Sequence, residues 1–97
     1  MAAYIVATVR ITDREKFGAY VKATAGLAAT FGGEPIVLGK VAEVFEGDVD
    51  PGEMVVVTRF PDADAARAYV GSDQYKAGKA LRIGGGVVEA RLMIDPA

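Results

Sequence analysis

Arg10, Arg59, Arg91 and Glu89 fall at alternate positions of three apolar runs, so strands laid side by side would gather them on one face. Three guanidinium groups there would attract a carboxylate or an enolate. Their planar N–H forks match such oxygens, and the contacts strengthen when partly desolvated. Tyr4 shares the parity of Arg10, and Tyr20, Tyr69 and Tyr75 supply further phenols. A phenol can donate a proton or hydrogen-bond to a substrate oxygen, as a proton-transfer enzyme without histidine would require. The plainer account is Arg–Glu pairs that register a dimer, or solvated charges at a sheet end, with tyrosine rings buried and their hydroxyls at the edge. We favour it for both groups.

Other patterns carry less chemistry. Lys76, Lys79 and Arg82 form a stripe along the last helical segment. Basic residues near a helix C-terminus complement its dipole, and a solvated face explains them better than an anion site. Gly84–Gly86 precedes a strand instead of opening a helix, which marks a turn and not a dinucleotide fingerprint. Glu46, Asp48, Asp50 and Glu53 are acidic but lack the ligand spacing and central glycine of a calcium loop.

The composition removes whole classes of function. At 97 residues there is room for one domain over 1–97, and 52% hydrophobic with 25% charged residues is the mix of a chain that folds. The formal charge of −2 provides no basic field, so neither nucleic acid nor a membrane surface is an expected partner. With no Cys and no His there is no disulfide, no thiol or histidine triad, no zinc site of the usual ligands and no histidine-ligated haem. No cofactor is expected. The N-terminal apolar run lacks a basic segment before it and carries Arg10, so it reads as a strand, and no stretch is long enough to span a bilayer. A cytoplasmic location follows as the expectation.

These residues must be held by four strands and three helical segments, the last two of which together form the second helical unit. Tyr4–Ile11 alternates as a strand, and Thr12 with Glu15 forms a capping box that opens a helix running to about Phe31, closed by Gly32-Gly33. Gly18 and Gly26 inside that helix point to close packing against a sheet. Ile36–Phe45 reads as a second strand, bent or bulged at Gly39, and a turn-rich loop leads to a third at Met54–Phe60. Pro61-Asp62 caps a helix from about Ala63 to Val70, Ser72 caps another through about Arg82, and Val87–Ile94 is the last strand. The order βαββαβ is that of a ferredoxin-like α+β fold, an antiparallel four-stranded sheet with helices on one face. The bare face would carry Tyr4, Val6, Thr8, Arg10, Val55, Val57, Arg59, Val87, Glu89, Arg91 and Met93. It is too apolar for water and too charged for a dry core, which points to a homodimer enclosing a partly polar cavity.

The chain also resembles domain-of-unknown-function family 1330. The resemblance rests on Asp13, Phe31-Gly32-Gly33, Glu46-Gly47, Phe60-Pro61-Asp62 with Ala65-Ala66 and Tyr69, Ser72-Asp73-Gln74-Tyr75, and Leu81-Arg82. It implies a dimeric α+β barrel, a superfamily that includes cofactor-independent monooxygenases, muconolactone-type isomerases and haem-handling proteins, and it places Tyr75 near a cleft edge. Arg59 and Leu38 depart from the acidic and basic residues common at those places in the family. The expected function is a homodimer that binds a small, partly apolar metabolite, anionic where the arginines serve it, with Tyr4, Arg10, Arg59, Tyr75, Glu89 and Arg91 as cavity candidates. A cofactor-independent oxygenase or isomerase, and a dimer without ligand, are the alternatives.

Overall fold

Eight elements are present in the computed structural model, which describes residues 1–95: β1 (Ala3–Ile11), α1 (Arg14–Ala23), α2 (Leu27–Thr30), β2 (Glu34–Lys40), β3 (Met54–Phe60), α3 (Ala63–Gly71), α4 (Asp73–Leu81) and β4 (Gly86–Ile94). The strands form one antiparallel sheet in the order β2-β3-β1-β4. β1, the most apolar run, lies inside the sheet and pairs along its length with β4 and β3, Tyr4 opposite both Arg59 and Met93, Thr8 opposite both Val55 and Glu89. This is the ferredoxin-like α+β arrangement that the element order implied.

Alternation along the strands separates two faces. Ile5, Ala7 and Val9 of β1 with Val56 and Thr58 of β3 turn toward Phe17, Tyr20, Tyr69 and Tyr75 of the helices. The intervening residues form the bare face. The result is a slab of 32 × 32 × 15 Å, a helix layer on a sheet layer, with no helix or second sheet among the described residues on the other side. Fully or nearly fully buried apolar side chains are few, led by Phe60 and including Ala3, Val9, Phe17 and Ala66.

Local departures from the sequence reading have identifiable causes. The N-cap of α1 is Asp13, not Thr12: the Thr12 and Asp13 amides both donate to the Gly85 carbonyl, at 2.9 and 3.0 Å, which pins Thr12 to the turn before β4. Asp13 Oδ1 then accepts from the amides of Glu15 and Lys16. The long first helix is broken after Ala23. Thr24 Oγ1 donates to the Tyr20 carbonyl at 2.9 Å, and Gly26 takes φ +74°, a left-handed conformation that ends α1. Neither Gly18 nor Gly26 packs against the sheet, since a Cβ at either would meet nothing within 4 Å.

The second strand is shorter than its β-branched composition indicated. β2 stops at Lys40, and after the Val41 amide bonds the Glu53 carbonyl at 2.7 Å, residues 42–50 have no strand beside them to pair with. Its register shift falls between Pro35 and Val37 and not at Gly39, because Pro35 has no N–H to give the ladder. The caps of the later helices are those expected, Asp62 accepting from the Ala65 amide and Ser72 from the Tyr75 amide.

Candidate functional site

The helices do not close down on the sheet. Between them lies a cavity of about 260 Å³, walled by apolar side chains of β1 and β3 and by the rings of Tyr20, Tyr69 and Tyr75. Among the described residues, those phenols are its only ionisable lining groups. Their placement follows from two local devices. Ser72, between α3 and α4, donates from Oγ to the Tyr69 carbonyl at 2.7 Å and accepts from the Tyr75 amide at 3.2 Å, so one hydroxyl sets the angle at which the two tyrosine-bearing helices meet. Gly78 lets α4 lie against α1, for a Cβ there would stand 2.5 Å from Thr24 Cγ2 and 3.6 Å from Tyr20 Cδ1.

The aromatic rings meet edge to face. Tyr69 and Tyr75 have centroids 4.9 Å apart, Tyr20 and Tyr75 6.5 Å, and Phe60 and Phe17 back the cluster at 5.5 Å from Tyr69 and 5.4 Å from Tyr20. Arg82 completes it, its guanidinium carbon 4.5 Å from the Tyr20 ring centroid and 6.0 Å from that of Tyr75. Burial raises the Tyr20 phenol well above its ordinary pKa, the neighbouring Tyr75 and Tyr69 phenols add to the effect, and Arg82 opposes it. Tyr69 is raised in the same way, first by burial and then by Tyr75. Both stay protonated hydrogen-bond donors.

Of the six candidates named from sequence, five stand on the bare face and one beneath the helices. Tyr4 and Arg59 are direct cross-strand neighbours; Arg91 lies opposite Val6, one row away on the far side of β1. Arg10 reaches Asp50 at 3.7 Å and Glu89 at 3.9 Å, loose pairs between exposed groups. Tyr75 is separated from all five by the sheet itself and joins Tyr20 and Tyr69. The six are therefore not one constellation.

Arg82 was misread. Lys76 and Lys79 are exposed as a solvated stripe should be, but Arg82 is buried against Tyr20. Its spacing of seven from Tyr75 puts both on one face of α4, a signal present in the sequence and hidden by the basic run.

The fold and cavity define a ferredoxin-like α+β protein with a phenol-lined pocket between helices and sheet. The chain belongs to the family described as "Domain of unknown function (DUF1330)", whose model matches residues 2–94. Among solved structures it is similar to RPA0582, a protein of unknown function from Rhodopseudomonas palustris, with TM-score 0.79 and 15% identity over 98% of this chain and 84% of that one. A dimeric ferredoxin-like protein of unknown function from Jannaschia sp. CCS1 aligns with TM-score 0.72 and 14% identity over 98% of this chain and 100% of that one. SnoaB, a cofactor-independent oxygenase from Streptomyces nogalater, aligns with TM-score 0.68 and 14% identity over 99% of this chain and 94% of that one. At such identities the likeness is one of fold. Among curated proteins none matches the chain. No helix among the described residues is long and apolar enough to cross a membrane.

Proposed function

We propose that this protein is a homodimeric small-molecule binder whose ligand, compact and largely apolar, occupies the cavity between helices and sheet. The observation that carries the reading is the cavity itself, an apolar chamber with phenols as its polar points, the composition of a pocket that holds a ligand and orients it. Dimerisation is supported by the bare face, where Val6, Val55 and Val57 form an apolar centre, and by a protomer that buries few large side chains by itself. The dimeric neighbour of the same fold supports it too.

The oxygenase among the structural neighbours raises catalysis as a second reading. Proton abstraction in this cavity would fall to a phenol, and burial moves Tyr20 and Tyr69 away from ionising. Binding is therefore the reading we adopt.

A native mass spectrum of the purified protein tests both halves. A dimer carrying a reproducible small-molecule adduct is the expected result, and a monomer at micromolar concentration would overturn the dimer. Val57 faces Val6 and Val37 across its neighbouring strands, and a two-fold interface would bring in two copies of any charge placed there. V57K should weaken association by about a hundredfold or more, read by sedimentation, with circular dichroism unchanged.

A further inference from the structure

The cavity between helices and sheet is selective through what it omits. Among the described residues no Lys, Arg, Asp or Glu lines it, so a molecule inside meets no fixed charge. Arg82 stands behind the Tyr20 ring and outside that lining, its Nη1 sealed away. An anion entering the chamber would surrender its hydration with no cation to replace it, a cost that excludes carboxylates and phosphates.

What the chamber offers instead is hydroxyls. Thr58 comes from β3, Tyr20 from α1, Tyr69 from α3 and Tyr75 from α4, so separate elements each bring one O–H to an otherwise apolar wall. Tyr75 stands between the other two rings, its centroid 4.9 Å from that of Tyr69 and 6.5 Å from that of Tyr20. Hydroxyls can accept from one another, but an open chain of them always leaves one hydrogen unspent. That donor recognises an acceptor oxygen on whatever fills the space, because a ligand without one leaves it unanswered. Burial keeps Tyr20 and Tyr69 protonated, and the positive field of Arg82, which opposes the rise in both, strengthens their O–H groups as donors. At about 260 Å³ the chamber exceeds the about 150 Å³ that admits a benzene ring, so it suits a body of roughly two fused rings. We infer that the ligand of this cavity is an uncharged, apolar carbonyl compound of that size, its body packed under the helices and its carbonyl oxygen held by the tyrosine hydroxyls. This inference rests on the binding function proposed above and adds the chemical class of the ligand. It departs from the anionic metabolite expected from the sequence, since Arg10, Arg59 and Arg91, which prompted that expectation, are absent from the lining.

The test uses two probes of similar shape, the ketone 2-acetonaphthone and the acid 2-naphthoate, titrated calorimetrically into the wild-type protein near neutral pH. The ketone should bind about tenfold to a hundredfold more tightly than the acid. Its carbonyl stretching band, read by infrared difference spectroscopy, should lie at lower wavenumber in the complex than in hexane. At least one of Y20F, Y69F and Y75F should return the band toward the hexane position and weaken the ketone about threefold to tenfold. Equal or tighter binding of the acid would overturn the uncharged class while leaving the cavity a binding site. A band at its hexane position in the wild type, or one unmoved in all three folded variants, would overturn recognition by the phenols. Failure of both probes to bind would overturn the binding function and this inference with it. The wild-type measurements need no variant, so they decide the ligand class even if the variants do not fold.

Discussion

The two faces of the sheet carry polar groups of similar chemistry and treat them in opposite ways. On the bare face of the single protomer, Arg10 and Glu89 stand in solvent, loosely paired at 3.9 Å, and Arg59 and Arg91 are exposed. On the covered face, Arg82 is buried against a tyrosine ring, and two phenols are held protonated by burial. Charge in water interacts weakly because the solvent screens it, whereas the same charge behind a wall of rings is costly unless answered. Crowded charges on a surface therefore reveal less about function than a single charge that has been enclosed.

The comparison can be broken from the covered side first. Phe60 is completely buried and backs Tyr69, so F60A should destabilise the protein by about 3–5 kcal/mol and disorder the tyrosine cluster, read by urea unfolding and near-ultraviolet circular dichroism. A loss below about 1 kcal/mol would mean that the cavity walls are not part of a common core.

A smaller effect comes from pH. Because the phenols of Tyr20 and Tyr69 are raised in the folded state, the unfolded chain releases their protons first, from about pH 10. Stability should hold level up to that point and fall above it, by at most about 1.4 kcal/mol per pH unit for each phenol, and by less as water screens the half-buried rings. Y20F and Y69F should each flatten the decline, and tyrosinate absorbance should rise in a later step for these two groups.

The smallest effect belongs to the bare face. R10A removes two exposed pairs at 3.7 and 3.9 Å and should change stability by no more than about 0.5 kcal/mol. A loss of several kcal/mol would show that Arg10 is enclosed at the dimer interface and does not stand at its open rim, and would narrow the contrast between the two sides.

Much of the architecture was legible in advance. Strict alternation in Tyr4–Ile11 and Val87–Ile94 predicted which residues share a face, and the observed pairing of β1 with β3 and β4 preserves that parity. The caps at Asp62 and Ser72 were legible because capping is local chemistry within four residues. The cap at Asp13 was not, since it depends on Gly85, which binds Thr12 from far along the chain. Residues 41–45, the end of the expected second strand, failed as strand for the same reason, β-branched composition being useless without a neighbour to pair with.

The candidate site divides along the same line. Residue types and periodicity determined by themselves that the chain makes a ferredoxin-like sheet with one bare face, because alternation and helical repeat are properties of neighbours in sequence. Tertiary structure alone decided that Tyr75 parts company with Arg10, Arg59, Glu89 and Arg91, and that Arg82 leaves the solvated stripe of Lys76 and Lys79 to lie on Tyr20. Which charge is enclosed depends on how closely α4 approaches α1 at Gly78, a packing distance set between elements and written in neither of them.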